Sequence, residues 1–82
     1  MVKVEYDPSF EKTFRKISDE NLKRRVKKQI QKIIENPENG KPMRYTRKGT
    51  RETYIPPFRL SYSYLKNEDT ILFLDLYHKD EQ

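Results

Sequence analysis

Arg59, His78, Lys79 and Glu52 are the side chains whose types point most directly to chemistry. Cleaving RNA without a metal needs three things: activation of a 2′-hydroxyl, stabilisation of charge on the phosphate, and protonation of the departing 5′-oxygen. Arg59 suits the second role, because a planar guanidinium can hold two phosphate oxygens and keeps its charge at any ordinary pH. His78 is the only histidine and falls in Tyr77-His78-Lys79-Asp80, where it could supply the acid. Glu52 is the only carboxylate beside a strongly basic segment and could be the base; the alternative for it is a salt bridge to a neighbouring arginine. Taken alone, a single histidine is more often a surface residue than a catalyst, so its neighbours must decide.

That basic segment is Lys41 to Arg51, with Lys41, Arg44, Arg47, Lys48 and Arg51 and no acidic residue. The bias is local, because residues 36–82 as a whole carry eight basic and seven acidic side chains. With Tyr45, Tyr54 and Tyr62 or Tyr64 nearby, the segment offers phosphate contacts and stacking platforms for single-stranded nucleic acid. A solvated hairpin is the competing reading.

These residues need elements to position them. Val2, Val4 and Tyr6 alternate with polar residues as a short strand. Asp7-Pro8 then fits an N-cap and first helical position, followed by Phe10, Phe14 and Ile17 at helical spacing. Ser18 or Asp19 can cap a second helix, whose stripe is Leu22, Val26, Ile30, Ile33 and Ile34 and which ends near Asn36-Pro37. Its other faces carry Lys23, Arg24, Arg25, Lys27, Lys28 and Lys32, read as a solvated surface with phosphate contact as the alternative.

Asn36 to Pro42 reads as a loop. Met43 to Thr46 and Glu52 to Ile55 read as a hairpin around a Gly-containing turn. Pro56-Pro57 interrupts pairing, and then Phe58, Leu60, Tyr62 and Tyr64 share one face of a strand, with Arg59, Ser61 and Ser63 on the other. A final strand from Thr70 to Tyr77 is apolar on both faces, as expected of a central one. The order β-α-α-β-β-β-β predicts a single α+β domain over residues 1–82. Two N-terminal helices cover one face of a small, mostly antiparallel sheet and leave the other open for binding.

Composition narrows the classes. Cysteine is absent, which removes thiol catalysis, disulfides and Cys-based zinc. One histidine cannot build a metal site, and with only Gly40 and Gly49 there is no phosphate-cradling glycine motif, so no cofactor is expected. No leader or membrane-length apolar stretch is visible, making cytoplasmic residence the expectation. A net charge of +5 favours a polyanionic partner.

The run Glu52-Thr53-Tyr54-Ile55-Pro56-Pro57-Phe58-Arg59-Leu60-Ser61-Tyr62 and the terminal pair His78-Lys79, with the length and element order, resemble the RelE/ParE toxin superfamily across nearly the whole chain. Phe58-Arg59-Leu60-Ser61-Tyr62 matches its aromatic-Arg-hydrophobic-x-Tyr pattern. The resemblance implies a toxin of a type II toxin-antitoxin system, a ribosome-dependent endoribonuclease that cuts mRNA, inhibits translation and is blocked by an antitoxin protein. Arg59 would bind phosphate, and His78 and Lys79 would form the terminal acid or charge-stabilising pair. It departs from the pattern at Tyr54, where many nuclease members carry Lys or Arg. No aromatic follows His78-Lys79, and no Glu stands at Lys41-Pro42-Met43, where some members place the base. The alternatives are a ParE-like gyrase-inhibiting toxin and a non-catalytic RNA- or ribosome-binding module.

If several cations of the Lys41 to Arg51 segment neutralise phosphates, RNA affinity falls steeply as salt rises, with each neutralised phosphate adding about 0.7 to the log–log slope on single strands. A salt titration of RNA binding reads this directly, and a flat response contradicts the phosphate clamp.

Overall fold

The computed structural model describes residues 2–38, 41–42 and 50–78, with backbone alone at 41–42. Its elements are β1 (Lys3–Tyr6), α1 (Pro8–Lys16), α2 (Glu20–Glu35), β2 (Lys41–Pro42), β3 (Thr50–Ile55), β4 (Phe58–Leu65) and β5 (Thr70–His78), with a 3-10 turn at Lys66–Glu68 before β5.

Both helices start as the sequence predicts. The Asp7 carboxylate accepts from Ser9 N at 2.9 Å, with Pro8 in the first turn of α1. Of the two candidates for α2, Asp19 is the cap, accepting from the amides of Asn21 and Leu22. Such caps satisfy amides that a helix start leaves without partners and contribute about 1 kcal/mol each. The α2 stripe then buries Leu22, Val26 and Ile33 against the sheet, with Ile30 and Ile34 partly covered at its margin.

The sheet runs β1-β5-β4-β3-β2, with β1 parallel to β5 and every other pairing antiparallel. Two local expectations change. Lys41–Pro42 is not loop: it pairs with Arg51 and Glu52 as β2. The strand expected from Met43 to Thr46 lies outside the described residues. Pro56-Pro57 does not separate its flanking strands either. It is the two-residue turn, with a cis peptide between the prolines, that joins the rung Ile55–Phe58. A proline in a turn has no ladder hydrogen bond to lose there.

Between β4 and β5 the register shifts once. Tyr62 pairs with Phe73 and Ser61 with Asp75, so Leu74 has no partner on β4. Because side chains alternate, one extra residue exchanges the faces of everything beyond it. Before this bulge Ile71 and Phe73 point to the helices; after it Leu76 does, and Asp75 and Tyr77 turn to the face away from them.

The core is the helix-side layer of Phe10, Ile17, Leu22, Val26, Ile33, Ile55, Leu60, Tyr62, Ile71, Phe73 and Leu76. Aromatic rings join α1 to the sheet, with Phe10 and Phe73 centroids 5.9 Å apart and Tyr62 and Phe73 6.0 Å apart. Ile33→Ala, at a site with no solvent exposure, is expected to cost about 2–5 kcal/mol in urea unfolding, whereas Leu65→Ala, at an exposed site, is expected to stay within about 0.5 kcal/mol.

Candidate functional site

On the face away from the helices, register brings Glu52 of β3, Arg59 of β4 and Tyr77 of β5 into one cluster. Arg59 shares its rungs with Tyr54 on one side and Tyr77 on the other, and Glu52 shares its rung with Ser61, two residues from Arg59. The Arg59 Nη1 donates to Glu52 Oε1 at 2.9 Å, and the Tyr77 hydroxyl donates to Glu52 Oε2. Glu52 is only 7% exposed, while the Arg59 side chain is 38% exposed. A carboxylate so far out of water persists only if its charge is matched and its oxygens accept hydrogen bonds, and here both conditions are met.

Arg59 also lies over Tyr54, its guanidinium carbon 5.7 Å from the ring centroid, and Tyr54 is 51% exposed. The hydrogen bond to Glu52 raises the Arg59 pKa above its ordinary value, partial desolvation opposes this, and the Glu52 charge adds to the rise. The guanidinium is therefore a permanent cation. Among the described residues its buried Nε has no hydrogen-bond partner, and neither has Ser61 Oγ.

The expected site residues divide by place. Arg59, Glu52 and Tyr54 come together on the open face, with Glu52 in the salt bridge that was its alternative reading. His78 does not join them: it pairs with Phe58, on the helix-side face, where the two rings meet edge-on at 5.7 Å. The bulge at Leu74 is the physical reason, since it assigns the open face to Tyr77 and the opposite one to His78.

Arg51 also belongs to the helix side, its Nη1 donating to Glu38 O at 3.0 Å. Backbone pairing puts Lys41 beside Glu52 on the edge strand. Arg44, Arg47, Lys48 and Lys79 lie outside the described residues. Tyr62 is not available for stacking on a base, being wholly buried with its hydroxyl donating to Pro37 O at 2.9 Å. Tyr64 lies on the same helix-side face and donates to Asp69.

Tyr77 is the site residue that reading the sequence missed. In the run Thr70 to Tyr77 both faces look apolar, and nothing in the composition of that run marks Leu74 as the extra residue. Among the described residues no cluster of three or more metal-ligating side chains occurs, and no helix is long and apolar enough to cross a membrane.

A profile of the ParE toxin of the parDE type II toxin-antitoxin system matches residues 4–82. The chain belongs to this family, and so to the RelE/ParE superfamily. Solved structures with the same fold include the toxin-antitoxin complex RelBE of Escherichia coli, at 16% identity and a TM-score of 0.81 over 95% of this chain and 96% of that one. The YoeB/ParE toxin of Agrobacterium tumefaciens matches at 13% identity and a TM-score of 0.83, covering 94% and 98%. The archaeal RelE-RelB complex of Pyrococcus horikoshii matches at 15% identity and 0.76, covering 99% and 98%. No curated protein matches the chain. These likenesses are of fold, far closer in architecture than in sequence.

Proposed function

We propose that this toxin is a metal-independent endoribonuclease that cuts mRNA on translating ribosomes, using the open face of the sheet. The observation that carries this is the cluster itself, a buried carboxylate held by an arginine and a tyrosine hydroxyl beside an exposed aromatic ring. Tyr54 gives a base a surface to stack on, and Arg59 gives the scissile phosphate a cation. Glu52 takes the 2′-hydroxyl proton, the 2′-oxygen bonds to phosphorus, and the bond to the 5′-oxygen breaks. The products are a 2′,3′-cyclic phosphate and a 5′-hydroxyl, the latter receiving its proton from the acid. His78 and Lys79 are the candidates for that acid. His78 is one rung beyond Tyr77 on the opposite face, so reaching the leaving oxygen requires the strand end to turn. A ribosomal target implies a cytoplasmic protein.

An antitoxin is the expected partner, as in the RelBE and RelE-RelB complexes that share the fold. Two features suit an acidic, partly disordered segment. Among the described residues no strand lies beside the outer edge of β5 beyond Phe73, because β1 pairs only as far as that residue. A groove lined by Tyr6, Phe10, Phe14 and Ile30 offers apolar contacts, with Lys27 and the Glu11–Arg15 ion pair at its rim.

One observation favours a second reading, a gyrase-inhibiting toxin acting by protein contact. The Arg59 charge is already matched by Glu52, and His78 faces the helices. Mapping of mRNA cleavage on translating ribosomes separates the two. Wild type is expected to cleave, Arg59→Ala to lose about 10²–10³-fold while keeping its circular dichroism spectrum, and His78→Ala to lose about 10²-fold or more if that residue is the acid. A folded wild type that leaves ribosome-bound mRNA intact overturns the nuclease reading, and supercoiling assays with gyrase then decide the other.

A further inference from the structure

We infer that Glu52 and the RNA phosphate compete for Arg59, and that Tyr77 is a positioning residue that keeps Glu52 in place when the phosphate wins. Three features of the cluster lead there.

First, the ion pair is a single contact, Nη1 to Oε1, and not the two-point fork of which a guanidinium is capable. The Arg59 Nε has no acceptor among the described residues. A phosphate with several free oxygens can therefore offer Arg59 more than Glu52 does, provided the side chain shifts.

Second, the carboxylate is engaged at both oxygens, by the cation at one and by the Tyr77 hydroxyl at the other. While this holds, both Glu52 oxygens are occupied and neither is free to receive a hydrogen from a 2′-hydroxyl. Once Arg59 moves to a phosphate, Oε1 is released and can accept the hydrogen of the 2′-hydroxyl. Substrate binding thereby produces the base that the reaction needs, next to the phosphate that triggered it.

Third, the donors that remain are in place. Tyr77 reaches Glu52 only because the bulge turns it to the open face. Ser61, on the rung of Glu52, has a buried hydroxyl with no partner among the described residues and can donate to the oxygen that Arg59 leaves. Glu52 takes the 2′-hydroxyl proton and returns it to solvent when the product departs, so the cluster resets without a co-reactant.

The catalytic half of this inference rests on the nuclease reading; the competition for Arg59 does not. The first probe is a fluorescent single-stranded RNA, 2′-O-methylated so that it cannot be cleaved, titrated by anisotropy at several salt concentrations. Glu52→Gln is expected to bind it about fivefold more tightly than wild type, as release of a partly exposed ion pair allows, and with a salt slope steeper by about 0.7, one more phosphate neutralised. Tyr77→Phe is expected to show none of this gain, because the carboxylate that Arg59 leaves then lacks the donor that steadies it.

In ribosome cleavage, both variants are expected to lose kcat without a rise in KM, a split that general loss of structure would not give. Equal or weaker probe binding by Glu52→Gln overturns the competition, and if that variant does not fold Tyr77→Phe decides, since tighter binding without the donor that steadies the released carboxylate contradicts the inference. If wild type binds the probe but never cleaves mRNA, the nuclease reading fails, while the competition stands or falls on affinity alone.

Discussion

Glu52 sits almost out of water in the middle of a face that the helices do not cover, and the arrangement of the second half of the chain follows from matching its charge. An isolated buried carboxylate would cost several kcal/mol in an environment this dry. Arg59 supplies the cation from the neighbouring strand and Tyr77 supplies a hydrogen bond from the strand beyond. Both arrive through the register of the sheet. The Pro56-Pro57 turn fixes how β3 meets β4, and the extra residue at Leu74 fixes which face of β5 Tyr77 occupies.

The two faces of the sheet divide the work. The helix side is an aromatic and aliphatic layer in which Phe10, Tyr62 and Phe73 supply much of the buried area in a chain with few large apolar residues. The caps at Asp7 and Asp19 and the α2 stripe close that side. The other face is free to hold polar groups because the main apolar layer lies on the helix side, and strands give those groups a stiffer support than a loop would. An ion pair with one partner exposed suits a binding surface, since Arg59 is rigidly presented and still open to an incoming anion.

Much of this was legible in the residues. The Asp-Pro start of α1, the three-to-four spacing of Leu22, Val26, Ile30 and Ile33, and the alternation of Phe58 to Tyr64 each rest on local rules, and each appears as expected. Arg59 and Glu52 were legible as chemical groups, and a salt bridge from Glu52 to a neighbouring arginine was one of its two readings, without Arg59 being singled out as the partner. His78 was misplaced and Tyr77 missed for one reason: a bulge in a run as uniformly apolar as Ile71 to Leu74 leaves no trace in the pattern, yet it exchanges the faces of every later residue. The Pro-Pro pair misled differently, since proline breaks a ladder in mid-strand but fits a turn between paired strands. Tyr62, read as a stacking platform, is on the covered face, where its hydroxyl finds the Pro37 carbonyl.

The central claim is that Glu52 and Arg59 act as one unit on this face, and a double-mutant cycle tests it most directly. Urea unfolding would be measured for wild type, Glu52→Gln, Arg59→Lys and the double variant. The account predicts strong non-additivity, with the double variant losing clearly less stability than the two single losses summed. Additive losses would mean that the two groups do not depend on one another, and would contradict it.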